Sequence, residues 1–132
     1  MSNWYKVMNK RFKHKYMLFD WVLVNGTPFQ IHSLTKKKIG YHKYQTSMSY
    51  SILQDVKPIV LTTDFLKLND FKIIDCSMGY EQYHDEENDV YIHFNGICCY
   101  ILINSKIKNI KYIHQLQHYY DFLGIEKKWI FQ

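Results

Sequence analysis

The spacing of apolar positions changes along the chain, and each change marks an element. Trp4, Met8, Phe12, Tyr16 and Phe19 recur every three or four residues, as on one helix face, with Lys6, Lys10 and Lys13 elsewhere on its surface. Phe12, His14, Tyr16 and Leu18 also alternate with Arg11, Lys13, Lys15 and Met17, which is strand spacing. Together these predict a helix or turn early and a strand from about Tyr16. Trp21–Val24 and Thr27–His32 flank Asn25-Gly26, a pair suited to a two-residue type I′ turn because both positions need positive φ. Pro28 has no N–H and puts the second arm at an edge or bulge. Lys36 to Lys38 reads as a loop, Ile39–Tyr44 as a strand, Thr46–Ser51 as a polar turn, and Val56–Leu61, with Pro58 inside it, as a short extended edge segment.

The second half begins with a helix from Thr63 to about Leu68. Thr62 supplies the N-cap, Asp64 sits in the first turn, and Asn69 is expected to take the left-handed capping conformation. Strands follow at Phe71–Cys76 and Tyr80–Tyr83, then an acidic turn at Asp85–Asp89. Val90–Phe94, Asn95-Gly96 and Ile97–Ile103 form a second hairpin signal; the second arm is nearly all apolar and reads as central, covered on both faces. A helix from about Tyr112 to Leu123 ends at Gly124 and carries the apolar stripe Ile113, Leu116, Tyr120 and Leu123. Lys127–Gln132 reads as a short strand or a packed extended end.

These elements predict an α+β fold: a small bent antiparallel sheet or sheets from β-hairpins, with one short and one longer C-terminal helix. An SH3-like N-terminal half followed by a helix-covered second sheet is the arrangement that fits them. The 132 residues suit a single domain, divisible into an N-terminal sub-lobe over 1–61 and a C-terminal one over 62–132. No apolar run reaches the ~18 residues of a membrane helix, and no signal-peptide pattern is read at the start. A hydrophobic share of 47% with 22% charged residues is that of an ordinary globular chain.

Composition adds origin and charge. The chain has no alanine and a single arginine, Arg11, among its 17 basic residues, while Ile, Lys, Asn, Tyr and Phe abound. This follows AT-rich codons and points to a genome such as those of many phages and mobile elements. Lysine binds as a mobile point charge, where arginine would bind bidentately, so nucleic-acid contact would be electrostatic and weakly sequence-specific. The net charge of +5 is uneven: residues 1–50 hold nine Lys/Arg against Asp20, residues 51–100 hold three lysines against nine acids, and the rest hold five against two.

Most candidate chemistry has a plain explanation. His114, His118 and Asp121 share a helical spacing that can bind zinc, but Gln115 stands where a metalloprotease would need its glutamate, and a polar outer helix face is expected. Glu81 and the acids from Asp85 to Asp89 lack the alternation and central glycine of a calcium loop, and a solvated turn is expected. Cys76, Cys98 and Cys99 form no CxxC pair and read as reduced, mostly buried thiols of a cytosolic protein. No catalytic fingerprint occurs, so neither an enzyme nor a cofactor or metal is expected. The best functional signal is the basic set Lys10, Arg11, Lys13, Lys15, Lys36, Lys37 and Lys38, interleaved in its first part with aromatics that can stack bases; surface lysines that only keep an AT-rich gene's product soluble are the alternative.

Three stretches carry a family resemblance: Asp20-Trp-Val-Leu-Val-Asn-Gly-Thr-Pro-Phe-Gln-Ile-His32, Lys57-Pro-Ile-Val-Leu-Thr-Thr-Asp-Phe-Leu-Lys-Leu-Asn-Asp-Phe-Lys72 and Ile110-Lys-Tyr-Ile-His-Gln-Leu-Gln-His-Tyr-Tyr-Asp-Phe-Leu-Gly-Ile-Glu126. In this order they resemble a group of small uncharacterised proteins carried by prophages and mobile elements of Bacteroidetes. The likeness covers about two thirds of the chain, and its motifs are structural: a turn, a capped helix and a core helix. The group's helix ends in Gly where this chain has Asn69, and the lysine-rich segment through Tyr16 lies outside the pattern.

With the chain's size and missing catalytic motifs, the resemblance implies a non-enzymatic counter-defence (anti-CRISPR) protein, acting in the host cytoplasm. An inhibitor of a type VI-B RNA-guided nuclease comes from the same phylum. The implied partner is a large host effector protein, its guide RNA, or both, with no small-molecule substrate and no membrane. A free-standing nucleic-acid-binding phage regulator and a small virion or assembly protein are the alternatives.

Overall fold

The computed structural model describes residues 16–44, 47–96, 98–103 and 105–131. The fold is mixed α+β, with antiparallel sheets of three, three and five strands, and the chain divides into two compact units, 1–59 and 60–132. The early helix or turn expected before Tyr16 lies outside the described residues.

Unit 1 is a meander of β1 (Trp21–Val24), β2 (Thr27–Gln30), β3 (Ser33–Leu34), β4 (Lys38–Tyr44), β5 (Ser47–Ile52) and β6 (Val56–Pro58). One sheet runs β2-β1-β6 and the other β3-β4-β5. The chain bends from the first sheet into the second between β2 and β3. After a 3-10 turn at Leu53–Asp55 it returns, and β6 pairs antiparallel with β1. This is SH3-like connectivity. Asn25 and Gly26 have φ of 51° and 79°, the type I′ turn expected of them. Pro28 lies in an edge strand, where its missing N–H costs no ladder bond. Tyr16, Val22, Val24, Ile31, Ile39, Tyr41 and Val56 make the core, flanked by Phe29, Leu34 and Leu53.

Two expectations in this unit are corrected. The first strand begins at Trp21, not Tyr16: the Asp20 carboxylate accepts the Met17 N–H at 2.7 Å and Phe19 sits at φ 70°, which turns the chain. Residues 47–52 form β5 where a polar turn was expected. The strand hides behind its serines. Ser49 and Ser51 pair with the buried Tyr41 and Ile39, so the small polar residues stand on the inner side and Met48, Tyr50 and Ile52 on the outer.

Unit 2 holds α1 (Thr63–Leu68), β7 (Lys72–Ser77), β8 (Tyr80–Asp85), β9 (Val90–Phe94), β10 (Cys99–Ile103), β11 (Lys106–Ile110) and α2 (Ile113–Phe122). The five strands lie in chain order. Tyr83, Ile92 and Ile101 align across the central strands and are fully buried. Both helices reach this face: the Tyr120 hydroxyl donates to Asp85 Oδ2 at 2.7 Å, and the Tyr83 hydroxyl lies against Thr63. Among the described residues no helix is long and apolar enough to cross a membrane.

Helix ends explain the element boundaries. Thr62 Oγ1 accepts the Phe65 N–H at 3.1 Å, as a capping threonine should. At the other end the left-handed residue is Asp70, φ 66°, while Asn69 has φ −103°. Phe71 N–H donates to Leu66 O at 2.9 Å, which closes the helix in a Schellman arrangement. Asn69 is used differently: its amide donates to Phe65 O and Ile130 O and accepts the Ile130 N–H at 2.7 Å. This clamp holds the segment after α2, where Trp129 and Phe131 meet the Phe65 ring at 5.8 and 5.1 Å. The packed extended end is therefore present. The α2 start is closed by Gln115, whose side-chain oxygen accepts the Lys111 and Tyr112 N–H groups at 2.8 and 3.0 Å.

Three further expectations change. The second Asn-Gly does not make a two-residue turn: Phe94 pairs with Cys99, and Asn95 Oδ1 accepts the Cys98 N–H at 2.8 Å. β10 lies inside the sheet but is sealed on one face only: Cys99 and Ile101 are buried, Tyr100 and Leu102 half-buried. An antiparallel sheet with helices on one side leaves the other to solvent. Finally, β11 forms an exposed edge strand at Lys106–Ile110, where no element is expected from the spacing of apolar residues.

Candidate nucleic-acid interface

Lys36, Lys37 and Lys38 stand on the turn between β3 and β4, all exposed. The turn is held from inside. Thr35 N–H and Thr35 hydroxyl both donate to Lys38 O, at 3.0 and 3.2 Å, while Thr35 Oγ1 accepts the Lys37 and Lys38 N–H groups at 3.4 and 3.2 Å. Leu53 N–H donates to Lys37 O at 2.9 Å. The backbone is thus fixed, and three ammonium groups radiate from it. Lys38 Nζ lies 4.5 Å from the Tyr50 ring centroid, a cation–π distance.

The outer face of the β3-β4-β5 sheet continues from this turn. Phe19 and His32 rings meet at 5.7 Å and His32 and His42 at 4.7 Å. Tyr50 stands across from Gly40, two residues along β4 from His42. Phe19 and Tyr50 are 57% and 56% exposed, and both histidines are exposed. Unit 1 as a whole has ten Lys/Arg and two acids, Asp20 and Asp55, for a net +8, against −3 in unit 2. Asp20 is buried, which leaves Asp55 as the unit's exposed carboxylate. Lys10, Arg11, Lys13 and Lys15 belong to unit 1 by position but lie outside the described residues.

Of the basic residues singled out from the sequence, Lys36 to Lys38 lie on this turn; Phe19, His32, His42 and Tyr50, which that set does not include, come to the adjoining face. The available signal was the reversed order of β5, with serine inward and large side chains outward. It reads as a strand only once the register is known.

Unit 2 offers chemistry of another kind. Asp85 is buried, which corrects the expected fully solvated turn. Burial pushes its carboxyl up, but hydrogen bonds from Asn88 and Tyr120 and the Lys127 charge outweigh this and hold it below the ordinary carboxylate value. Lys127 Nζ is 3.4 Å from Asp85 Oδ2, with the two side chains 10% and 2% exposed. The same ammonium lies over Phe71 and Trp129 at 5.5 and 5.6 Å. This cluster is internally saturated: each group is engaged by another part of the same unit.

The histidine face expected to be polar and outward is only partly so. His114 is buried, stacked on Tyr112 at 5.7 Å, while His118 is half-buried and Asp121 exposed. The three therefore do not share one environment, and no group of three metal-ligating side chains occurs among the described residues. Of the cysteines expected mostly buried, Cys99 is buried, its thiol pushed up to about 12 by burial, while Cys76 and Cys98 are exposed. Cys76 lies on an edge strand, and the Cys98 N–H is tied to the Asn95 side chain ahead of β10. Comparison of the chain with protein-family models, curated proteins and solved structures finds no match to any of them.

Proposed function

We propose that the chain is a non-enzymatic counter-defence (anti-CRISPR) protein of phage or prophage origin that binds an RNA-guided nuclease, or the guide RNA within its complex, and blocks its activity. The observation that supports this reading best is the rigid Thr35–Lys38 turn on a unit of net +8. Such a turn presents its charge without ordering a loop on binding, so less entropy opposes contact with phosphate. Lys10, Arg11, Lys13 and Lys15 add to the same charge. Phosphate backbone exposed in an RNA-guided effector is a matching surface.

The test is co-purification of the chain with an RNA-guided nuclease loaded with its guide, together with target-cleavage assays. The triple variant Lys36→Glu, Lys37→Glu, Lys38→Glu is expected to lose about tenfold or more in affinity for the complex and to relieve inhibition in proportion. Unchanged affinity of that variant removes the support. Tight binding to bare RNA with no preference for the nuclease complex selects the free-standing regulator instead.

A further inference from the structure

The outer face of the β3-β4-β5 sheet breaks the usual order of a half-buried strand. In β5 the serines Ser49 and Ser51 face the core side, opposite Tyr41 and Ile39, while Tyr50 and Ile52 stand outward, 56% and 46% exposed. Core burial would favour the opposite arrangement, since turning a Tyr or Ile inward gains roughly 1.5–3 kcal/mol. A local rule broken in this way points to a surface kept for contact.

What that surface would contact follows from its chemistry. Phe19, His32 and His42 meet edge to face at 5.7 and 4.7 Å, and the Tyr50 ring lies over Gly40, two residues along β4 from His42. Gly40 keeps the floor low beneath that ring: a Cβ there would lie 2.9 Å from Ser33 Cβ and 3.1 Å from Tyr50 Cε1. Lys38 reaches over the Tyr50 ring, and Lys36 and Lys37 flank the same end. Planar rings beside mobile cations, on a unit whose two acids are the buried Asp20 and Asp55 on the 3-10 turn, suit a ligand with both π faces and phosphates. A protein partner would more often meet charged complements of both signs. A duplex offers phosphates but keeps its base faces stacked.

We propose that this face binds single-stranded RNA, its unpaired bases stacking along Phe19, His32, His42 and Tyr50 while Lys36 to Lys38 hold the phosphates. The proposal rests on the reading that unit 1 engages RNA, and it adds the strandedness and the means of recognition.

The experiment uses the full chain and fluorescence anisotropy with a short unstructured RNA strand and a blunt RNA duplex of equal length. The wild type is expected to prefer the single strand by about tenfold, and Tyr50→Leu to weaken that strand by about tenfold with the salt slope unchanged. Tyr50→Phe, which keeps the ring, should bind as the wild type does. Lys37→Glu should instead flatten the salt dependence for both RNAs. Equal affinity for strand and duplex, or a Tyr50→Leu variant that binds normally, overturns the stacking platform and leaves phosphate binding standing. Capture of the nuclease without RNA, with no binding to either RNA, overturns it in favour of a protein-docking face. Loss of all binding, to RNA and to the nuclease complex alike, defeats the underlying reading as well.

Discussion

Single residues in this chain do work that their type alone does not announce. Asp85 belongs to an acidic run, yet it is the carboxylate that faces inward and gathers Tyr120, Asn88 and Lys127 around it. Breaking a buried pair from one side costs about 3 kcal/mol or more because the other charge is stranded. Asp85→Asn is therefore expected to lower stability by about 3 kcal/mol in urea melts, since Lys127 is left without its anion. Lys127→Met should cost less, under about 1.5 kcal/mol, because methionine keeps the contact with Phe71 and Trp129 and Asp85 keeps two donors. The pH dependence has a definite sign. A carboxyl held below its unfolded value contributes stability that is full above the unfolded pKa and is lost as pH falls through the folded one. The wild type should lose stability as pH drops below about 4, and Asp85→Asn should show less of that loss in the same melts.

At the scale of the element, boundaries are set by caps and turns, and these were the most legible features. Thr62, Asn25-Gly26, Pro28 and the α2 stripe act as their local chemistry dictates, whereas Asn95-Gly96, with the same turn chemistry, does not close a two-residue hairpin. The α1 terminus was legible to within one residue: the left-handed position is Asp70, and Asn69 is freed to clamp Ile130. An L-residue in that conformation costs about 1 kcal/mol relative to glycine. Asp70→Gly should raise stability by about 0.5 kcal/mol after the added freedom of the unfolded chain is subtracted, a gain measurable as an upward shift in Tm. What local chemistry could not show was an inverted strand. β5 carries alternation, but with serine inward it reads as polar, and only pairing with Ile39 and Tyr41 discloses which side is the core.

For the whole molecule, charge follows the division into units: +8 on residues 1–59 and −3 on residues 60–132. A protein of modest total charge thus carries one strongly basic half. If the Lys36–Lys38 turn neutralises three phosphates, RNA affinity should fall by about tenfold or more between roughly 50 and 200 mM salt. An anisotropy titration across that range checks it, and a flat profile would exclude a phosphate-driven contact. The sequence by itself determined the fold class, the lysine cluster and most turns, because periodicity, caps and formal charge depend on residues close together in the chain. Tertiary structure alone decided which acid is buried, which histidine leaves the surface and which rings meet. Those outcomes depend on strand register and on which sheet face the helices cover, and both are set by residues far apart in sequence.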